Sequence, residues 1–204
     1  MVNLIVKAPL RVDLGMGGIS DLPWWCNKYK GVSVSLCLDI HGKGIVLELS
    51  RAEKNRAHFI DVSNGPSFAC SLGDLYHRQC LKEAPKNVLV LVASTYCALE
   101  EAQKRGRTTK LIENKLYGIR INNFTKRHKG LGTSSILSAT VILGLFRWLE
   151  LEASLNELVK LVIKTESILG SGGGWEDPAG VFFGGVTLVI SKPQRQKKII
   201  RIKF

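Results

Sequence analysis

The sequence predicts an α+β fold, a mixed or antiparallel sheet packed with helices, and three observations carry that expectation. Short alternating runs bounded by proline and glycine fill the first fifty residues. Two apolar runs of helical character occupy residues 134–149 and 154–166. Strands come first and helices later, without a regular βαβ repeat, which favours segregated elements over a doubly wound sheet. At 204 residues, 45% of them hydrophobic, the chain can fill one large domain or two small ones.

The elements follow in order. "NLIVKAP" and "LRVDL" read as short strands bounded by Pro9 and Gly15. Residues 21–30 read as a short helix or loop, with Pro23 suited to a first helical turn. "GVSVSLCLDI" alternates Val32, Val34, Leu36 and Leu38 with Ser33, Ser35 and Cys37. "GIVLEL" follows the turn "HGKG", so residues 31–49 read as a hairpin. "NVLVLVAS" is a buried-strand candidate, and "ALEEAQKRG" a helix ending at Gly106. "YGIRINNF" is a strand, leading into a glycine turn. From 134 to 149 apolar side chains lie almost all round the helix, which suits a core. Ser154 and Glu157 form a capping box for the next helix, with Leu155, Leu158, Val159 and Val162 inward. "GSGGGWEDPAG" is a glycine-rich loop before a final strand at 186–190.

Charge and cysteine usage narrow the classes. The net charge of +12 concentrates in residues 104–129, where nine basic residues face Glu113 alone, and in the tail "KPQRQKKIIRIKF", with six. Such runs attract nucleic acid, acidic membrane or anionic nucleotide alike, but no zinc-finger spacing or aromatic-basic module accompanies them, so a solvated basic surface is the first reading and nucleic-acid binding a secondary one. Residues 136–149 fall short of the ~20 apolar residues of a membrane span. The opening lacks the pattern of a signal peptide. Five cysteines without a C-x-x-C pair, and four scattered histidines, suggest neither a zinc site nor a disulfide framework. A reduced, cytoplasmic setting is the resulting expectation.

Two features carry chemistry. In "KGLGTSSI", Gly130 and Gly132 permit a tight turn, and Thr133, Ser134 and Ser135 cap a helix. Unpaired N–H groups at the positive end of the helix dipole are then the recipe for an anion site, with an ordinary capped turn the equal alternative, and the spacing is not that of a Walker A loop. Glu166 continues the inward stripe of the 154–166 helix. A buried acid there requires a partner, a hydrogen bond or a metal.

Three segments, "APLRVDLGMGGISDLPWW", "GLGTSSILSAT" and "TESILGSGGGWEDPAG", resemble in order those of the GHMP small-molecule kinases, nearest the branch that phosphorylates L-fucose or heptose 7-phosphate. The resemblance implies the family's N-terminal domain, of the ribosomal protein S5 domain 2-like class, over residues 1–191. It also implies that 192–204 is a basic tail and that the family's C-terminal domain is absent. In that family the segment at Lys129, Gly130, Leu131, Gly132, Thr133, Ser134 and Ser135 wraps the phosphates of ATP. Ser134 or Ser135, together with Glu166, would hold Mg²⁺. Asp177 would accept or orient the proton of a sugar hydroxyl, with Glu176 the competing acid. Arg11 would sit beside Asp177, and Asp21 and Gly174 at the sugar. Trp175 would either stack on the sugar or pack against the sheet. The chain departs from the family pattern at Lys126, His128 and Lys129. The implied activity is ATP-dependent phosphorylation of a sugar such as L-fucose, with a second copy or a partner chain completing the cleft. A non-catalytic nucleotide- or sugar-binding remnant is the alternative.

Overall fold

The computed structural model describes residues 4–15, 20–38, 44–62, 65–106, 118–124, 133–192 and 198–202. Within these, the chain forms two compact units. The glycine turn through Lys129, Gly130, Leu131 and Gly132 lies outside the described residues, as does most of the basic stretch at 104–129.

The first unit takes in residues 1–7, 45–126 and 140–153. Its mixed five-stranded sheet has the order β1 (Leu4–Ala8), β4 (Ile45–Arg51), β7 (Ile119–Asn123), β5 (Arg56–Asp61), β6 (Phe68–Ser71). β4 and β7 run antiparallel, whereas β5 and β7 run parallel. Leu47, Leu49, Phe59, Ile119 and Ile121 are completely buried, as the period-two alternation of their strands requires.

Two short helices, α2 (Leu72–Tyr76) and α3 (Gln79–Glu83), belong to this unit, as does the longer α4 (Leu89–Lys104). The run "NVLVLVAS", expected as a strand, therefore lies almost wholly in α4. A short apolar run buried on every side carries no period with which to tell strand from helix. Ser94 and Thr95 donate to the carbonyls of Val90 and Leu91, at 2.7 and 2.8 Å, so the buried hydroxyls are satisfied inside the helix.

The cysteine expectation is also corrected. Cys70 and Cys80 pair as a disulfide, because β6, α2 and α3 fold back and bring their Cα atoms to 6.4 Å. Cys26, Cys37 and Cys97 keep their thiols outside that disulfide.

The second unit comprises residues 8–44, 127–139 and 154–204. Its sheet is antiparallel throughout, in the order β2 (Leu10–Gly15), β3 (Gly31–Leu38), β8 (Val186–Ser191), β9 (Lys198–Ile202). Strands β3 and β4 thus belong to different sheets, and the hairpin expected over 31–49 does not form. Apolar alternation defines strands but says nothing of their partners. Strand β9 pairs with β8, so residues 198–202 of the segment read as a basic tail form an edge strand of this sheet.

Helix α1 (Pro23–Cys26) opens on Pro23 as expected. Helix α5 (Thr133–Trp148) has its first turns in this unit and the remainder in the first. Helix α6 (Leu155–Leu169) carries the predicted capping box: Ser154 Oγ accepts from Glu157 N–H, and Glu157 Oε2 accepts from Ser154 N–H at 2.7 Å. Leu158, Val159 and Val162 are buried, but Leu155 is 40% exposed; the first turn overhangs the core. Finally, the acids of "GGGWED" do not lie in a loop but open helix α7 (Glu176–Phe183). Val159, Ala179 and Val189 form the core between α6, α7 and the sheet. Among the described residues no helix is long and apolar enough to cross a membrane.

Candidate active site

Five elements of the second unit deliver charged or polar side chains to one place. Arg11 comes from β2, Asp21 from the turn before α1, Ser135 from the first turn of α5. Glu166 comes from the last turn of α6, and Glu176 and Asp177 from the first turn of α7. All except Asp177, which is partly exposed, are at least nine-tenths buried.

Arg11 is shared by two neighbouring acids. Its Nη1 donates to Glu176 Oε1 at 2.9 Å, and its Nη2 pairs with Asp177 Oδ1. Ser135 links the opposite side. Its hydroxyl is bonded to Glu166 Oε1 and lies 3.2 Å from Asp177 Oδ2. One hydroxyl proton serves one of these carboxylates at a time. Asp21 Oδ2 accepts the backbone N–H of Glu176 at 3.1 Å, and Asp21 Oδ1 is buried without a hydrogen bond among the described residues.

The glycines of "GGGWED" explain how these acids come so close to the backbone. A Cβ on Gly173 would overlap the Glu166 carboxylate, and one on Gly174 would overlap that of Asp21. The chain between α6 and α7 therefore passes close against both carboxylates, which only glycine permits at Gly173 and Gly174.

Burial raises the proton affinity of Glu166, the Ser135 hydrogen bond opposes this, and the charge of Asp21 adds to it. Burial also dominates at Glu176. Arg11 lowers its pKa, but Asp13 and Asp21 raise it, and the carboxyl is pushed up to about 8. Asp177 stands between these two groups, at the positive end of the α7 dipole, where a carboxylate is favoured.

The placements of the predicted residues can now be set out. Arg11, Asp21, Ser135, Glu166 and Asp177 converge, and Gly174 touches Asp21. Ser134 is exposed, and the serine that meets Glu166 is Ser135. Trp175 packs against the Val159–Ala179–Val189 core. Glu176 belongs to the constellation as fully as Asp177, a fact that adjacency in "WED" hinted at without deciding. Glu166 Oε2 is buried and makes no hydrogen bond among the described residues. With the Ser135 hydroxyl it offers an oxygen-only donor pair, which fits a hard divalent cation that draws its remaining ligands from water and phosphate. No group of three or more His, Cys, Asp or Glu side chains poised for a metal occurs among the described residues.

Residues 91–185 match the family of GHMP kinases, N terminal domain. The bifunctional fucokinase/GDP-fucose pyrophosphorylase of Arabidopsis thaliana is 27% identical over 196 residues, covering 92% of this chain and 17% of that protein. The D-glycero-alpha-D-manno-heptose 7-phosphate kinase of Campylobacter jejuni is 26% identical over 203 residues, covering 91% and 50% respectively. Among solved structures, a D-glycero-D-manno-heptose 1-phosphate kinase from Bacteroides thetaiotaomicron superposes with a TM-score of 0.75 at 18% identity, over 99% of this chain and 60% of that one. The chain thus spans half, or less, of the length of these curated relatives. The structural likeness establishes the α+β fold.

Proposed function

We propose, from the premise that this chain carries a GHMP kinase N-terminal domain, that it takes part in transfer of the γ-phosphoryl group of ATP to a hydroxyl of a sugar. The substrate class follows the fucokinase and heptose kinase relatives, and L-fucose at its anomeric hydroxyl is the leading candidate. The observation that carries this reading is Asp177, one oxygen held by Arg11 and the other facing Ser135.

Each residue has a physical task. Asp177 accepts the proton of the attacking hydroxyl as its oxygen bonds to the γ-phosphorus and the bond to ADP breaks. The Arg11 guanidinium holds one Asp177 oxygen and so orients the carboxylate toward its task. Glu166 and Ser135 would hold Mg²⁺, which when bound supplies charge neutralisation for the phosphates. Lys129, Gly130, Leu131 and Gly132, with Thr133 and Ser134 at the start of α5, would hold the triphosphate through backbone N–H groups. Asp21 Oδ1, buried and open to a donor, would accept a sugar hydroxyl beside Gly174.

The test is a coupled ADP-release assay of the chain over L-fucose, galactose and heptose phosphates, with the Asp177→Asn protein as control. Sugar-dependent ADP release that is lost in the control is the expected result. Release that is equal in both proteins, or that ignores the sugar, would remove Asp177 from the reaction.

A further inference from the structure

Glu176 has no task in the reaction above, yet it is the more deeply buried of the two acids that open α7, only 2% exposed. Its Oε1 receives one end of the Arg11 guanidinium, and Asp177 receives the other. Arg11 Nε makes no hydrogen bond among the described residues, so the two Nη groups fix the plane of the guanidinium. That group is rigid and planar, and holding one end sets the direction of the other. Glu176 is itself held: its backbone N–H is bonded to Asp21 Oδ2 at 3.1 Å.

We propose that Glu176 is a positioning residue, anchoring Arg11 so that the far end of its guanidinium faces Asp177. The catalytic consequence rests on the kinase reading, whereas the anchoring is a property of the folded chain.

The charged groups facing Glu176 are Arg11 and Asp13 from β2 and Asp21 from the turn before α1. Burial and the two acids outweigh Arg11, and the Glu176 carboxyl is pushed up to about 8. Protonated, Glu176 still accepts from Arg11 through a carboxyl oxygen. An anchor of this kind needs an acceptor oxygen in place but not a negative charge, which separates it from an ordinary ion pair.

Substitutions distinguish these cases. Glu176→Ala removes the acceptor, Glu176→Met replaces it with apolar bulk should the alanine protein fold poorly, and Glu176→Gln restores an acceptor oxygen without charge. Steady-state kinetics are to be paired with ¹⁵N NMR of the Arg11 guanidinium. We expect E176A and E176M to lower kcat on the order of tenfold to a hundredfold, the scale of a misplaced catalytic group, with KM for ATP unchanged. E176Q should recover most of that loss. The Arg11 Nη signals should be resolved in the wild type and E176Q and averaged in E176A and E176M. Wild-type kcat in E176A or E176M overturns the proposal, as does resolved Nη signals in both. A folded E176Q as damaged as E176A also overturns it, by making the charge essential. A wild-type chain that phosphorylates no sugar refutes the kinase reading instead, and the NMR comparison still decides the anchoring.

Discussion

Glu166 and Glu176 are both almost completely buried, ten residues apart in one chain, and their settings are opposite. Glu166 closes α6, at the negative end of a helix dipole, with a neutral hydroxyl for a partner and one oxygen with no hydrogen bond among the described residues. Glu176 opens α7, at the positive end of a dipole, with a guanidinium already bound. Burial raises the proton affinity of both. The difference teaches that burial alone does not assign a role to an acid. The first carboxylate keeps one oxygen with no hydrogen bond among the described residues, which suits the cation-holding role proposed for it. The second already has a cation, whose other end it hands on to Asp177.

Asp177 joins the two settings, touching Arg11 on one side and Ser135 on the other, and its loss should have the largest effect. Asp177→Asn keeps the volume but cannot accept a proton, so kcat should fall on the order of 10²–10⁴-fold, the range of general-base catalysis. Nucleotide affinity measured by calorimetry should stay as it is. Comparable turnover in D177N would show that the pair of settings has no catalytic centre between them.

Glu166→Gln sharpens the comparison from the other side. If this carboxylate receives a cation, the magnesium concentration that half-activates turnover should rise by about tenfold or more, since even supporting groups of a metal site cost that much. The corresponding change at Glu176, E176Q, should leave magnesium activation in place. Equal magnesium curves for wild type and E166Q would break the contrast.

Gly180→Ala probes the seat of Arg11. A Cβ at this position would lie 2.7 Å from Ser35 Oγ and 3.1 Å from Arg11 Cγ. Helix α7 would have to lift from the sheet, or Arg11 shift, at a cost of about 1–3 kcal/mol for overpacking. Chemical denaturation should show that loss, and turnover should fall while magnesium activation holds. A G180A protein of unchanged stability would mean that α7 is seated more loosely than its contacts indicate.

Which parts of this picture could be read in the sequence follows from where the signals are local. Helix α6 was legible because its capping box, Ser154 to Glu157, and its apolar stripe, Leu155 to Val162, are both written in one short stretch of chain. Pro23 marked α1 for the same reason. Helix α4 was not, because Val88, Leu89, Val90, Leu91 and Val92 are apolar in succession and suit either element. Strand pairing was out of reach: β3 chooses β2 and β8 over the adjacent β4, and for β8 the facing residues are far apart in the chain (Gly31 opposite Ser191, Leu36 opposite Val186), and nothing in "GVSVSLCLDI" states that choice. At the site, the residue types were legible from the motif resemblance, and the division of labour was not. That Ser135 rather than Ser134 turns inward depends on the phase of α5. That Glu176 binds Arg11 depends on the rotation of α7 against β2. Both are tertiary facts.

The last expected effect is on stability as a function of pH, and it tests the protonation of Glu176 directly. In the unfolded chain this carboxyl has its ordinary affinity, near ~4.3, whereas in the folded chain it is pushed up to about 8. Below the ordinary value both states hold the proton, and the contribution to stability is complete. Between the two values the unfolded chain releases the proton and the folded chain keeps it, so folding stability falls as pH rises. Above about 8 both states are ionised and the loss is finished. Glutamine has no such proton. The melting temperature of E176Q relative to wild type should therefore climb between about pH 5 and about pH 8 and then level off. Glu166 shifts in the same direction but is present in both proteins, and it cancels in the difference. Calorimetric melts of the two proteins across that range provide the measurement. A difference that stays flat would mean that Glu176 is ionised throughout, an ordinary partner in an ion pair with Arg11, and the contrast with Glu166 would then rest on geometry alone.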